Sequence, residues 1–176
     1  STIMKTRFNT LAAAGLASLL AVSGYALADN GQQKIAAVAQ TQVTPAQAIA
    51  AAQKQAGGQA TEIQLKGKYG TPVYHVEVRN GQQEHTVYVD AVSGKVVGSK
   101  AETEWKPARK AAVSLERAIQ AAQSTVQGRV MEAERDSNRG QLVYKVDILG
   151  ADNVPHKVIV DADSGKVLNS FVDYDD

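Results

Sequence analysis

The chain has 176 residues, its 19 lysine and arginine residues nearly balance its 18 aspartate and glutamate residues, and it contains no cysteine. The balanced charge argues against a basic surface for nucleic acid or anionic lipid. Without cysteine, the chain cannot form disulfides, thiolate nucleophiles, or cysteine-ligated zinc and iron–sulfur sites.

The segment that ends at Ala28 has the composition of an export signal. Lys5 and Arg7 supply a basic start, and residues 11–22 are apolar and uncharged. Residues 26–28 read Ala-Leu-Ala, which is a small-x-small cleavage pattern. The apolar stretch is shorter than the roughly 20 residues of a membrane-spanning helix, so an uncleaved anchor is the less favoured alternative. We predict cleavage after Ala28 and a periplasmic or secreted protein with a formal charge of −1, because two basic and no acidic residues leave.

Residues 29–42 form a polar lead-in, and residues 43–99 form a first folded unit, unit one. The lead-in is rich in glutamine and alanine without strong periodicity, so we predict that it is flexible and has room for a helical turn around Ile35. Unit one begins with a helix, because Thr44 is a typical N-cap and Gln47 completes a capping box. Alternating apolar residues then predict three or four antiparallel strands with one buried face.

Residues 100–113 form a charged linker, and residues 114–173 form unit two, which repeats the order of elements in unit one. Beyond the middle of each unit the second copy has one additional residue, at a predicted hairpin tip. Units of about 60 residues are marginally stable alone, so we expect the two to pack on each other. Equivalent positions include Thr44 and Ser114, Ile49 and Ile119, Tyr74 and Tyr144, and Val76 and Val146.

Both units end in nearly the same sequence. Residues 89–96 read VDAVSGKV, and residues 160–167 read VDADSGKV. The aspartate can accept hydrogen bonds from the backbone just after it, and the flanking valines favour strands. We predict a tight turn in which Gly94 and Gly165 have positive φ.

This order of elements, closed twice by VDAxSGKV, resembles the PepSY domain family over residues 44–99 and 114–172. The predicted fold is α+β, with two tandem repeats that each have one helix followed by a three- to four-stranded antiparallel sheet. The resemblance implies an exported or envelope protein. It also implies a role in binding and restraining peptidases, since PepSY units occur in propeptides of thermolysin-like metallopeptidases. The family has no catalytic motif to transfer to this chain.

Catalytic, metal and cofactor sites are not predicted. His75 and His85 fall on opposite faces of the predicted sheet, and a zinc site needs three or four convergent ligands. His85 and His156 occupy equivalent hairpin positions, where a metal bridging the units is the less favoured alternative. Residues 161–165 resemble the start of a calcium loop, but Val172 stands where the loop needs an acid. The motifs of serine hydrolases, zinc peptidases and phosphate loops are not found, so we predict no enzyme.

The polar face of each predicted sheet is the candidate binding surface. An exposed sheet face or an unpaired edge strand can bind an extended peptide, and a merely solvated face is the alternative. The alternating acids Glu132, Glu134 and Asp136 favour either a solvated face or a docking edge for a basic partner. The candidate residues are His75, Glu77, Arg79, Thr86 and Tyr88 in unit one and Lys145 and Asp147 in unit two.

We therefore predict an exported, non-enzymatic protein that binds another envelope protein or peptide. Modulation or inhibition of a protease is the form of binding that the family resemblance implies. A periplasmic sensor or carrier of a small molecule or metal is the alternative hypothesis, and an unrecognised hydrolase is a third. Nucleic acid is not an expected partner, and membrane is expected to contact only the signal segment before cleavage.

Overall fold

The computed structural model describes residues 30–67, 70–104 and 109–174, and the predicted export signal lies outside these ranges. The α+β class predicted from the sequence is confirmed. The described helices are α1 (Asn30–Gln40), α2 (Pro45–Ala56) and α3 (Leu115–Thr125). The described strands are β1 (Gln59–Lys66), β2 (Val73–Asn80), β3 (Gln83–Asp90), β4 (Val96–Thr103), β5 (Gly128–Asn138), β6 (Gln141–Gly150), β7 (Pro155–Asp161) and β8 (Val167–Val172).

Helices α2 and α3 begin at the predicted caps. The Thr44 hydroxyl accepts the Gln47 backbone N–H at 3.2 Å, and the Gln47 side chain accepts the Thr44 N–H at 2.9 Å, which completes the capping box. The Ser114 hydroxyl accepts the Arg117 N–H at 3.2 Å. Each cap satisfies donors that the first helical turn leaves unpaired, and such a cap contributes about 1 kcal/mol to stability.

Most of the lead-in forms α1, an 11-residue helix that is longer than the helical turn considered around Ile35. Ala37 and Val38 are buried against the core, and the Thr41 hydroxyl donates to the Ala37 carbonyl at 2.7 Å. The guanidinium of Arg129, from unit two, donates to the carbonyls of Val38 at 3.1 Å and Thr41 at 3.0 Å. Tertiary packing and this cap therefore stabilise a helix whose sequence has only a weak apolar stripe.

The eight strands form one antiparallel sheet in the order β4-β3-β2-β1-β5-β6-β7-β8. The sequence predicted a sheet of three to four strands in each unit. In the structure the sheet of unit one continues into that of unit two, because β1 pairs with β5. The two inner edge strands thereby satisfy each other's backbone groups, and β4 and β8 are the outer edges.

The junction between β1 and β5 has approximate two-fold symmetry. Ile63 lies opposite Ala133, Glu62 opposite Glu134, and Gln64 opposite Glu132. The sequence repeat aligns Ile63 with Ala133, so these are equivalent positions, and the two flanking pairs exchange under the same relation. The two units therefore meet as the subunits of an isologous dimer do.

Equivalent tyrosines anchor the start of each unit to its sheet. The buried Tyr74 hydroxyl donates to the Val43 carbonyl at 2.8 Å, and the buried Tyr144 hydroxyl donates to the Val113 carbonyl at 2.6 Å. The segments before α2 and α3 are thus fixed to the sheet by equivalent hydrogen bonds.

Among the described helices, none combines the length and apolarity needed to cross a bilayer.

The repeated VDAxSGKV segment forms the predicted turn in both units. Gly94 and Gly165 both have φ of 79°, which confirms the expected positive φ. The Asp90 carboxylate accepts the N–H of Val92 at 2.8 Å and the N–H of Ser93 at 2.9 Å. Backbone hydrogen bonds lower the pKa of Asp90, and the equivalent turn of unit two lowers the pKa of Asp161 in the same way.

Candidate binding surface

One face of the sheet carries α2 and α3, and the opposite face, which we name the open face, carries neither. The buried helix residues and alternate strand residues form a single core cluster, and the intervening strand residues of unit one are mostly half-buried and polar. The seven predicted site residues all have the strand parity of the open face: His75, Glu77, Arg79, Thr86, Tyr88, Lys145 and Asp147.

Four of the predicted residues line one shallow cavity of about 260 Å³ on the open face of unit one. The rings of His75 and Tyr88, on neighbouring strands, meet edge to face with their centroids 4.7 Å apart. Burial, and then the charges of Lys66 and Lys100, lower the pKa of His75. The imidazole is therefore neutral at pH 7 and offers a hydrogen-bonding ring rather than a cation. The lining residues are Glu62, Gln64, Lys66, His75, Glu77, Thr86, Tyr88 and Lys100.

An acidic cluster lies beside this cavity, at the junction of the two units. Glu62, Glu132 and Glu134 each offer a carboxylate oxygen, and the three oxygens lie within 4.8 Å of one another. The cross-strand pairs explain this proximity, because Glu134 lies opposite Glu62 while Glu132 lies two residues along β5. We name these three residues the axial acids, since they flank the approximate two-fold axis. Three oxygens are fewer than the six to eight that Ca²⁺ takes, so these side chains alone do not complete a calcium site.

The surroundings of Glu62 strongly disfavour its ionised form. Burial, a hydrogen bond with Glu77, and the charges of Glu77, Glu134 and Glu132 raise the pKa of Glu62 to about 8. Glu62 is therefore protonated at pH 7. A cation placed over the cluster would relieve the repulsion and favour loss of this proton.

The open face of unit two has a different chemistry, because its charged residues are paired with one another. Lys145 contacts Asp136 at 2.7 Å, and this hydrogen bond lowers the pKa of Asp136. Lys157 lies between Asp147 at 3.5 Å and Asp173 at 3.3 Å. The structure therefore does not bring Lys145 and Asp147 into the cavity with the candidates of unit one.

Arg79 also lies apart from the other candidates. It forms an ion pair with Glu84 at 3.4 Å and lines a separate cleft beside Arg135. Burial and the charges of Glu77 and Glu104 raise the pKa of Glu84 although Arg79 opposes the shift. The predicted set thus divides into a cavity group and separate ion pairs.

Glu62 is the functional candidate that the sequence reasoning missed. It lies opposite Glu77 in the sheet and is equivalent to Glu132 in the repeat, so the repeat alignment contains a signal for it. The proximity of Glu62 to Glu134 was not predictable, because it depends on the pairing of β1 with β5.

His156 and the aspartate turns make local contacts within their own hairpins. Within the described ranges, no histidine belongs to a group of three residues with metal-ligand spacing. His156 lies 3.9 Å from Asp152 in its own hairpin. The Asp161 carboxylate accepts the N–H of Asp163 at 2.8 Å, so its oxygen is engaged in turn formation.

A protein-family model matches the chain twice, once in each unit of the repeat. The family model described as peptidase propeptide and YPEB domain (PepSY) matches residues 42–100 and 112–171, together more than half of the chain. The tandem arrangement predicted from the repeat is therefore confirmed. A search of curated proteins finds no match.

Three solved structures are similar to this chain at 16–21% sequence identity. A proposed lipoprotein from Clostridium difficile 630 has 21% sequence identity and a TM-score of 0.47, with 76% of this chain and 95% of that chain covered. The YpmB protein from Bacillus subtilis has 21% identity and a TM-score of 0.35, with 75% and 100% covered. The YpeB C-terminal domain from Bacillus megaterium has 16% identity and a TM-score of 0.32, with 75% and 66% covered.

Proposed function

Since this chain belongs to the PepSY family and no catalytic family is indicated, we propose that it is an exported, non-enzymatic protein that binds a cationic segment of another envelope protein on its open face. The segment would lie across the strands at the junction of the units. Its lysine or arginine side chains would contact the axial acids, and its backbone would lie over the neighbouring cavity.

The observation that carries this proposal is the crowding of carboxylates on a sheet face that α2 and α3 leave uncovered. Glu62, Glu132 and Glu134 place oxygens within 4.8 Å of one another beside a cavity of about 260 Å³. Once Glu62 is deprotonated, the three carboxylates are a local concentration of negative charge in a chain whose total charge is nearly balanced. Such a potential steers cationic partners and selects against anionic ones.

Binding of a cation should be coupled to proton release. Glu62 has a pKa of about 8, so it holds a proton at pH 7 and must lose it before the cluster carries its full charge. Affinity for a cationic segment should therefore rise as the pH increases toward about 8. This coupling distinguishes docking on the axial acids from docking elsewhere on the surface.

The test is calorimetric titration of the protein with an extended peptide that carries lysine at alternate positions. We expect saturable binding, with proton release seen as a dependence of the heat on the buffer's ionisation enthalpy. Glu62→Gln should abolish the proton release, and Glu132→Gln should weaken binding. Asp163→Asn is the matched control, because it removes one exposed negative charge from a turn outside the cluster. Equal binding of a peptide with glutamate at the same positions would contradict the proposal.

Regulation of an exported peptidase is the finer part of the proposal, and the description of the family as a peptidase propeptide domain supports it. Inhibition by a binding module should saturate at a fixed molar ratio to the peptidase. Charge reversal at Glu77, Glu62 or Glu132 should weaken that inhibition. Arg79 is a poorer choice for this test, because it is engaged with Glu84.

The alternatives give different results in the same experiments. A metal carrier would bind a divalent ion at the axial acids more tightly than it binds the lysine peptide. A hydrolase would release many equivalents of product per molecule, and one substitution would abolish turnover without unfolding the protein. Either result would replace the binding proposal.

A further inference from the structure

A second feature of the β1–β5 junction has no role in the open-face proposal. The two strands pair over only three residues each, Glu62 to Gln64 and Glu132 to Glu134, and then diverge on both sides of the axis. Each divergence leaves a cleft. The two clefts are related by the repeat, so each serves as an internal comparison for the other.

The first cleft is bordered by the end of α1 and the residues that follow it. It is lined by Leu65, Arg129 and Val130, and it encloses about 260 Å³ against the end of α1. Arg129 donates two hydrogen bonds to the carbonyls of Val38 and Thr41 at the end of this helix. A single arginine in this cleft therefore has a structural partner.

The second cleft is larger and cationic. It encloses about 500 Å³, and none of the lining residues in the described part of the chain is acidic. Segment 109–113 precedes α3 and forms no helix. Its counterpart before α2 is the end of α1 together with the residues that follow that helix. The basic side chains that line this cleft are Arg79, Arg109, Lys110 and Arg135.

The fold does not require cations at these positions. Arg135 is equivalent to Leu65 in the first cleft, and Arg79 is equivalent to Leu149, which pairs with Arg129 as Arg79 pairs with Gln59. The same strand positions therefore accept leucine in the other half of the molecule. Arg79 already has a counter-charge in Glu84, but among the described residues Arg109, Lys110 and Arg135 form no ion pair, so a bound anion would supply the counter-charge that these three cations lack.

The guanidinium of Arg135 is fixed by hydrogen bonds to neighbouring groups of the protein. Its Nη2 and Nε donate to the Tyr144 hydroxyl at 2.9 and 3.3 Å, and its Nη1 donates to the Arg109 carbonyl at 3.0 Å. Arg109 in turn donates to the Gly140 carbonyl at 3.1 Å. A guanidinium has five N–H groups, so Arg135 retains donors beyond these three bonds. A fixed arginine loses little entropy when it binds a carboxylate or phosphate.

We propose that the second cleft binds a small multivalent anion bearing carboxylate or phosphate groups, held by Arg135, Arg79, Arg109 and Lys110. The volume of about 500 Å³ is within the range of small-molecule sites and suits an organic acid better than a single ion. The site is separate from the axial acids in its charge and in the residues that form it. Its occupant therefore does not depend on the proposed partner of the open face.

Titration of the full chain with citrate and with pyrophosphate tests this inference, with acetate as the monovalent comparison. We expect saturable binding of citrate or pyrophosphate that weakens with added salt, and much weaker binding of acetate. The citrate arm reports carboxylate chemistry and the pyrophosphate arm reports phosphate chemistry. Absence of saturable binding in both arms would overturn the proposal.

Two of the variants for this test replace an arginine by the residue at the equivalent position of the other unit. Arg79→Leu and Arg135→Leu introduce the residue that the other half of the fold already holds at each position, and Lys110→Gln changes an exposed side chain. Each should weaken binding about tenfold, the loss expected for one charge-assisted hydrogen bond. Lys95→Gln, in an exposed turn, should leave the affinity unchanged. Thermal melting identifies any variant that fails to fold, and unchanged affinity in the folded Lys110→Gln and Arg79→Leu proteins would overturn the assignment.

Discussion

In unit one, His75 and Glu77 face a cavity on the open face, whereas the equivalent positions of unit two hold Lys145 and Asp147 with their charges already paired. The buried positions that alternate with these residues are the same: Tyr74 matches Tyr144, and each hydroxyl donates a hydrogen bond to the chain before its own helix. At these strand positions the two units therefore agree on the face that carries the helices and differ on the open face. This contrast indicates that the core positions specify the fold, which leaves the open face available for function.

The largest expected effect concerns the pair on the axis, where unit one holds isoleucine and unit two holds alanine. Ile63→Ala should lower the free energy of unfolding by about 3 kcal/mol, because Ile63 is fully buried and leaves a cavity. Ala133→Ile should cost about 1–3 kcal/mol by overpacking. The double exchange rebuilds the same pair in the opposite orientation, so its cost in urea denaturation should be well below the sum. Additive costs would show that the two residues do not share one packing site.

The equivalent tyrosines should differ in the next experiment. Tyr74→Phe should cost about 1 kcal/mol, because one carbonyl loses its donor. Tyr144→Phe should cost about 2 kcal/mol, because the Tyr144 hydroxyl also accepts two hydrogen bonds from Arg135. Denaturant midpoints measure both costs, and combining Tyr144→Phe with Arg135→Leu should remove the excess. Equal costs at the two tyrosines would mean that Arg135 contributes nothing there.

The turn glycines should behave alike in the two units. Gly94→Ala and Gly165→Ala should each cost about 1 kcal/mol, because both glycines have φ of 79°. An added Cβ would lie 3.6 Å from Val43 and 3.5 Å from Val113, which are ordinary contacts, so backbone strain alone sets the cost. Gly98→Ala is the matched control, since its Cβ would lie 3.5 Å from Tyr88 without a positive φ. Unchanged midpoints for both turn variants would contradict the turn argument.

Glu62 gives the pH dependence that separates the junction from the rest of the molecule. Its folded pKa of about 8 exceeds its ordinary value of 4.5, so the folded state holds a proton that the unfolded state releases. Stability should therefore fall as the pH rises between these values. Glu62→Gln should remove that fall and stabilise the protein at pH 8 by on the order of 1 kcal/mol, a figure reduced for solvent screening. A pH–stability profile unchanged from that of the parent protein would contradict the assignment.

The smallest expected effect is a comparison of the two turns under chelation. Unit two has Asp163 where unit one has Val92, and only the second therefore resembles a calcium loop. Because the Asp161 carboxylate is engaged by the backbone, chelator should leave the melting temperature unchanged. A fall of several degrees that Ca²⁺ alone restores would show that the turn or the axial acids hold an ion.

Sequence reasoning succeeded where the signal is local. Thr44 and Ser114 begin helices because a side-chain oxygen caps the first turn, and Gly94 and Gly165 adopt positive φ because the turn requires it. These interactions span only a few residues and carry specific residue types. The predicted open-face parity of His75 and Tyr88 rests on the period of the strand, which is equally local.

The junction and the full length of the lead-in helix were not predicted, because their causes are not local. Pairing of β1 with β5 is a backbone interaction that Ile63 and Ala133 permit without specifying, and it joins segments from different units of the chain. Helix α1 is stabilised by Arg129, a residue of unit two that is distant from the helix in sequence. The axial acids and the second cleft follow from the same junction, so neither was apparent before the strands were paired.

The junction also determines what each half of the molecule is able to become. In a dimer of identical chains every substitution occurs twice, so both clefts beside the axis must carry the same side chains. Covalent connection of the two copies removes that restriction. One cleft here closes over α1 with a single arginine, while its counterpart gathers four cations. Two copies of one folding pattern can thus acquire separate tasks while the buried positions that they share continue to maintain both.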